Sequence, residues 1–365
     1  MLVIASHAFP LVRELPWTVK RFTNLGFYGV QLFFVVSGFT LARSWRQRET
    51  RALPSWRDFA IRRVFRIAPA YFLAALLYLP LEPGESPSAL RVATFVSFTN
   101  GWSPAQMPTL AGVWIGVPGG WSIEAEFVFY AIFPLLMARL RGPWRTLAAL
   151  LCSIPLAWAA HAAGWTIYGP HYDHTATDQF LYYWFPTQLP VFLCGLMLYE
   201  AVMNLAPGGK WTKLVNTLRR RASWLVAAGV IAFAALALVP VPRVPVLEWG
   251  LISAPLVAAG GFVAIALGLA RKTNPLFINP FFVRLGQVSF SAYLLHFVFL
   301  NLAHKFWERD LAAPTGLWAV LVSGAAFLGV LGVTFAASLV TYRVIEKPAM
   351  DLGSSIIRRL ARNHK

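Results

Sequence analysis

The sequence predicts an all-α, polytopic integral membrane protein with about ten transmembrane helices in one bundle. Three observations carry that prediction. Hydrophobic residues make up 58% of the 365 and charged residues only 13%, too little charge to keep a soluble domain of this size dispersed. Apolar runs of membrane length recur from one end of the chain to the other. Basic residues gather at the ends of those runs. The same placement excludes nucleic acid as the reason for the net charge of +17, because a nucleic-acid binder carries its charge as a stripe on one soluble face.

Runs of roughly 17–25 residues read as spanning helices, at 1–12, 25–43, 64–81, 121–139, 146–164, 183–203, 222–240, 250–270, 286–304 and 316–342. The first is the anomaly. About twelve residues at 1.5 Å each cover little more than half of a hydrocarbon core of roughly 30 Å, so the native chain is expected to begin upstream of Met1. The second run, Gly26 to Ala42, breaks into the most basic segment of the chain: Arg43, Arg46, Arg48, Arg51, Arg57, Arg62, Arg63 and Arg66 against Glu49 and Asp58. The third run resumes at Val64. Because translocating Lys and Arg is costly, such a loop marks the cytoplasmic side.

Between the third and fourth runs, Leu90 to Gly116 is broken by Gly101, Pro104, Pro108 and Gly112, which reads as a re-entrant or interfacial segment. With the basic loop inside, the remaining spans alternate so that 25 of the 32 Lys and Arg fall inside and 7 outside, with both termini cytoplasmic. The domain is read as 1–350, followed by a basic cytoplasmic tail at 351–365. Cys152 and Cys194 each sit inside an apolar run, which makes them packing residues and leaves no disulfide framework. The first residues carry no positive n-region and no small-residue cleavage site follows, so no signal peptide is read.

Four places could carry chemistry. His7 lies in the first run, where an ionisable group is a functional candidate by default; a neutral His bonded to a neighbouring helix is the equal alternative. Glu126 lies one turn into the fourth span and needs a His, Arg or Tyr partner inside the bundle. Glu124, two residues earlier, is read as a first-turn acid complementing the helix dipole, with Ser122 as the N-cap. Arg63 and Arg66 share a helix face and form either a phosphate clamp or a plain membrane anchor, while Arg62 is read as an anchor. His171, Asp173 and His174 in an outer loop are read as a polar rim; the three are too few for a dedicated metal site. His161 and His304 are read as interfacial, and His296 as a second intramembrane His. No P-loop, Gly-x-Ser-x-Gly elbow or His-Glu-x-x-His signature occurs.

Taken in order, the motifs resemble acyltransferase family 3. They are Ala5-Ser6-His7, Gly29 to Phe39, Arg62-Arg63-Val64-Phe65-Arg66 through Tyr71, Trp121-Ser122-Ile123-Glu124-Ala125-Glu126 through Tyr130, Leu285 to His296, and Ile345-Glu346-Lys347-Pro348. The resemblance implies a membrane O-acyltransferase of the bacterial inner membrane. It would move an acyl group, most often acetyl, from cytoplasmic acyl-CoA to a hydroxyl of an extracytoplasmic carbohydrate or glycoconjugate. It implies no permanently bound cofactor and no metal. It assigns His7 and Glu126 to catalysis, with Glu126 orienting His7, and Arg63 and Arg66 to the donor's phosphates; Ser37, Tyr130 and His296 are further candidates. Direct transfer and an acyl-His intermediate both fit. The family's usual Arg eleven positions before the His would precede Met1, and no appended esterase-like domain follows. The rival expectation is a ten-span transporter or flippase of a glycolipid or polysaccharide precursor, against which no repeat between the two halves is seen.

Overall fold

The computed structural model describes residues 1–9, 15–50, 55–81, 88–107, 116–204, 217, 221–238, 253–270, 279–307 and 315–363. Pro108 and Gly112, the end of the first apolar run at 10–12, and the basic residues Arg13, Arg51, Lys210, Lys213, Arg219, Arg220, Arg243, Arg271, Lys272, Arg309 and Lys365 lie outside them. Among the described residues the chain is helical and holds no strand.

The elements are α1 (Leu2–Ala8), α2 (Trp17–Asn24), α3 (Gly29–Glu49), α4 (Trp56–Tyr78), α5 (Ala89–Val96), α6 (Trp121–Arg139), α7 (Pro143–Tyr168) and α8 (His174–Tyr183). They continue as α9 (Phe185–Asn204), α10 (Ala222–Leu238), α11 (Ala254–Leu269), α12 (Pro280–Gln287), α13 (Ser289–Trp307), α14 (Gly316–Thr341) and α15 (Lys347–Arg362). Each of the ten apolar runs overlaps one of these helices. By length and apolar composition five stretches could cross a membrane: Trp17–Glu49, Trp121–Arg139, Pro143–Tyr168, His174–Met203 and Gly316–Arg362. The bent pair α12–α13, which turns by 76°, makes up to six, and α10 and α11 are apolar but shorter. α4, at 23 residues, carries Arg62, Arg63 and Arg66 in its first half, and α1 is only 7 residues long.

Local chemistry explains several boundaries. Ser55 caps α4 by accepting the Asp58 N–H at 3.4 Å, and Asp173 caps α8 by accepting the Ala176 N–H at 2.9 Å. Pro69, Pro134, Pro155 and Pro190 sit inside helices, as is tolerated where neighbouring elements satisfy the freed backbone groups. α14 turns its large apolar side chains outward, with Leu317, Trp318, Leu321, Leu328, Val333 and Val340 all exposed, a belt that only lipid or another apolar phase would cover.

The core is aromatic and lies between α3, α4, α6 and α9. Phe192 stacks on both Phe34 and Phe129 at 4.3 Å, and Phe59 stacks on Phe133 at 5.2 Å. The segment expected to be non-spanning is held by this core. Its α5 is followed by short 3-10 turns at Asn100–Trp102 and Pro104–Gln106, while Phe98 stacks on Phe127 at 3.7 Å and Phe95 on Tyr71 at 5.1 Å.

α3 and α9 cross with their backbones in contact, which two glycines allow. A Cβ on Gly195 would lie 2.2 Å from the Val35 carbonyl oxygen, and one on Gly38 would lie 2.5 Å from that of Phe192. Small residues at such crossings are how helices approach closely where lipid supplies no hydrophobic drive. Gly195→Val is therefore expected to destabilise the protein by about 1–3 kcal/mol or more. The check is the thermal midpoint in detergent, and an unchanged midpoint would show that the two helices can part freely.

Candidate active site

The site is built in two layers, and the sequence motifs divide between them. The upper layer is an open chamber of about 640 Å³ whose wall includes His7, Arg21, Tyr28, Trp121, Tyr182 and Tyr293. His7 stands in the last turn of α1, with ring centroids 4.5 Å from Phe297, 5.1 Å from Phe27 and 5.7 Å from His296. Tyr293 is fixed by donating to the Gly119 carbonyl at 2.8 Å and accepting from Ser122 Oγ at 2.9 Å. Gly119 has φ +77, and a Cβ there would lie 2.7 Å from the Tyr293 hydroxyl, so both the turn and the approach require glycine. Gln31 holds Tyr182 by donating to its hydroxyl at 3.1 Å.

His296 is fully buried, and its Nδ1 lies 2.5 Å from the Tyr293 carbonyl oxygen. Since a carbonyl only accepts, that nitrogen carries the proton. Nε2 then bears the lone pair, and it has no hydrogen-bond partner among the described residues. The second intramembrane His thus stands beside the first, with ring centroids 5.7 Å apart.

The lower layer is a buried charge network. Ser37 Oγ donates to Glu126 Oε1 at 2.5 Å, and the charges of Arg63 and Arg66 act on the same carboxylate, with Tyr130 beside it. Arg63 lies over the rings of Phe59 and Tyr130 at 5.6 and 5.8 Å. Arg66 reaches Met350 Sδ at 3.6 Å and interacts with Glu346, which accepts a short hydrogen bond from Ser291. Glu346 closes a π-helical turn, Tyr342–Glu346, the kind of irregularity that gathers at functional sites. Its role went unread in the sequence, although Ile345-Glu346-Lys347-Pro348 was among the matching motifs.

This geometry alters four expectations. Glu126 was expected to orient His7, but the groups at its carboxylate are Ser37 and Tyr130, with the charges of Arg63 and Arg66 acting on it from beyond ion-pair distance, and the aromatic neighbours of His7 are Phe27, His296 and Phe297. The reason is helical: five residues beyond Trp121, Glu126 is about 7.5 Å down the axis and about 140° round, which turns it away from the chamber. Glu124 stands in the first turn of α6, as expected of a dipole-complementing acid, but not in a helix capped by Ser122. It is only 2% exposed, beside Asn100, and the helix begins at Trp121, which leaves Ser122 to bond Tyr293. Asp173 in the outer loop is committed as a helix cap, while His174 Nδ1 lies 3.1 Å from Asp178. His161, expected at an interface, is buried within α7.

Comparison with known proteins decides the family. An acyltransferase-domain family model, that of acyltransferase family 3, matches residues 1–343. The chain belongs to acyltransferase family 3. It is 27% identical to an acyltransferase, MdmB, of Streptomyces mycarofaciens, over 96% of this chain and 87% of the relative. It is 26% identical to a putative membrane-bound transacylase, BcsY, of Komagataeibacter xylinus, over 89% and 77%. It is 24% identical to a putative O-acetyltransferase of Staphylococcus aureus strain COL, over 90% of this chain and 53% of that longer protein. No solved structure matches. Family and apolar helices together make this acyltransferase a multi-pass membrane protein.

Proposed function

We propose that this family member is an O-acyltransferase that takes an acyl group, most often acetyl, from cytoplasmic acyl-CoA and places it on a hydroxyl of a carbohydrate or glycoconjugate on the other side of the membrane. The observation that carries the reading is an aromatic, hydroxyl-bearing chamber around His7 whose wall residue Trp121 stands on the same helix as Glu126 of the buried arginine–carboxylate network, about 7.5 Å away along the axis. Aromatic faces and hydroxyls suit a sugar ring, and guanidinium forks suit a phosphorylated donor. In this reading ten helices cross the membrane, and the basic segment 43–66 faces the cytoplasm.

The chemistry needs one base and no external redox partner. The acceptor hydroxyl gives its proton to His7 as its oxygen bonds to the thioester carbonyl carbon. The C–S bond then breaks, and the imidazolium returns the proton to the departing thiolate, so atoms and charge balance. Among the described residues no carboxylate lines the chamber, which leaves His7 as the base and His296 as its packed neighbour. Glu126 and Glu346 have the separate task of neutralising Arg63 and Arg66 inside the bundle.

The test is transfer itself. Purified protein with labelled acetyl-CoA and a panel of glycans should yield an alkali-labile acetyl ester and free CoA. A glycan transported unmodified, with no ester formed on any acceptor, would overturn the reading. Arg63→Glu and Arg66→Glu should each weaken acetyl-CoA binding by about tenfold or more, and Lys at either position should restore it in part, because an ammonium lacks the fork. Unchanged affinity in both reversals would return the pair to a membrane-anchoring role.

A further inference from the structure

We infer that Glu124, in an aromatic notch beside the chamber, receives a protonated amine of the acceptor, so that the preferred acceptor is an amino sugar or another ammonium-bearing glycoconjugate. This deepens the acceptor reading proposed above and rests on it. Glu124 is 2% exposed and lines a notch whose walls include Trp102, Trp121, Tyr183 and Phe185. Both of its carboxylate oxygens lack a hydrogen-bond partner among the described residues. Asn100, 3% exposed, stands beside Glu124 without closing either oxygen, and its own Oδ1 has no partner. The Tyr71 hydroxyl stands instead over Gly120, where a Cβ would lie 2.5 Å from it, and it too bonds nothing among the described residues. Nor does any ion pair there involve Glu124.

Buried acceptors in this number call for a ligand that only donates. Three such ligands exist: water, a metal ion and an ammonium. A water brings two protons and leaves the carboxylate's charge unbalanced. A hard cation takes six or more oxygens, whereas Glu124 and Asn100 offer three, and among the described residues no cluster of three acids or histidines exists to supply others. An ammonium brings three protons and the opposing charge, and the rings around the notch present faces that attract a cation. Gly101 makes room for the carboxylate, since a Cβ on it would lie 2.8 Å from Glu124 Oε2.

Position ties the notch to the acceptor. Trp121 and Tyr183, stacked at 4.4 Å, line both the chamber and the notch. Glu124 follows Trp121 by three residues, so the two are neighbours on one face of α6. A ligand whose hydroxyl is at His7 would therefore cross the Trp121–Tyr183 pair to place its amine at Glu124. The enclosed room is about 10 Å³, enough for one water-sized group, which fits –NH3⁺ and shuts out an N-acetyl group.

The experiment measures O-acetyl transfer by the full protein from labelled acetyl-CoA to glucosamine oligosaccharides, to their N-acetylated forms and to the matching glucose oligosaccharides, at a pH where the free amine is protonated. Only alkali-labile product is counted, so amide formation does not enter. Wild type should show a KM for the free-amine form about tenfold or more below that for either other form, the scale of one charge-assisted hydrogen bond. Glu124→Gln should bring the free-amine KM up to that of the glucose form, and Glu124→Asp should keep part of the difference. Equal wild-type KM values, or a disfavoured amine, would overturn the subsite while leaving the O-acyltransferase reading intact; this comparison needs no variant to fold. A preference that survives in Glu124→Gln would place the ammonium elsewhere and also overturn it. No ester on any of these acceptors, or on the wider glycan panel, would overturn both readings.

Discussion

His7→Ala is expected to lower acyl transfer by about 10²–10⁴-fold, the usual contribution of a positioned general base, while the protein inserts and melts as wild type. The separation of these two readouts follows from where His7 stands. Its side chain is part of the chamber wall, beside Phe27 and Phe297, so truncation enlarges an existing space and removes none of the described hydrogen bonds or ion pairs. Added imidazole should recover part of the rate, since the chamber is open and already holds about 640 Å³. Single-turnover transfer with the purified variant, with and without imidazole, measures this. Retention of a tenth or more of wild-type activity would remove His7 from the role of base.

Glu126→Ala should have the largest effect on stability. The carboxylate is 2% exposed, accepts from Ser37 and feels the charges of Arg63 and Arg66, and removing a buried acceptor leaves its donor unsatisfied, at a cost of about 1–3 kcal/mol, with the cavity left by the side chain adding to it. Glu126→Gln keeps the side chain's shape and a partner for Ser37 but loses the charge, so its thermal midpoint in detergent should fall between alanine and wild type. The two variants also separate the network role from that of orienting His7. If Glu126→Gln melts as wild type yet loses as much transfer as His7→Ala, then Glu126 acts through His7 after all.

Much of this was legible in the sequence because it depends on period and order. Helices over Gly29–Glu49 and Trp121–Arg139 follow from long apolar runs, and the placing of Ser37 with Glu126, Arg63 and Arg66 brings together three motifs that the family resemblance had already ordered. What failed was partner choice. His7 and His296 are 289 positions apart, and nothing local says that their rings meet at 5.7 Å. Glu124 and Glu126 look alike on paper. Only the rotation of α6 in its bundle puts the first beside Asn100 and the second beside two arginines. Asp173 was read only as part of a polar rim between two histidines, yet an acid immediately before a helix is also the simplest cap, and the backbone took that use.

The central claim is that one bundle passes an acyl group from a donor on the basic-loop side to an acceptor on the other. Sealed proteoliposomes containing a single orientation of the protein test it directly. Labelled acetyl-CoA is supplied to the face carrying Arg48 and Arg62, and the glycan acceptor is confined to the opposite compartment. The account predicts acetyl ester on the glycan in that arrangement, none when the donor is moved to the acceptor's side, and loss of the signal with His7→Ala. Ester formed only when donor and acceptor share one compartment would contradict it.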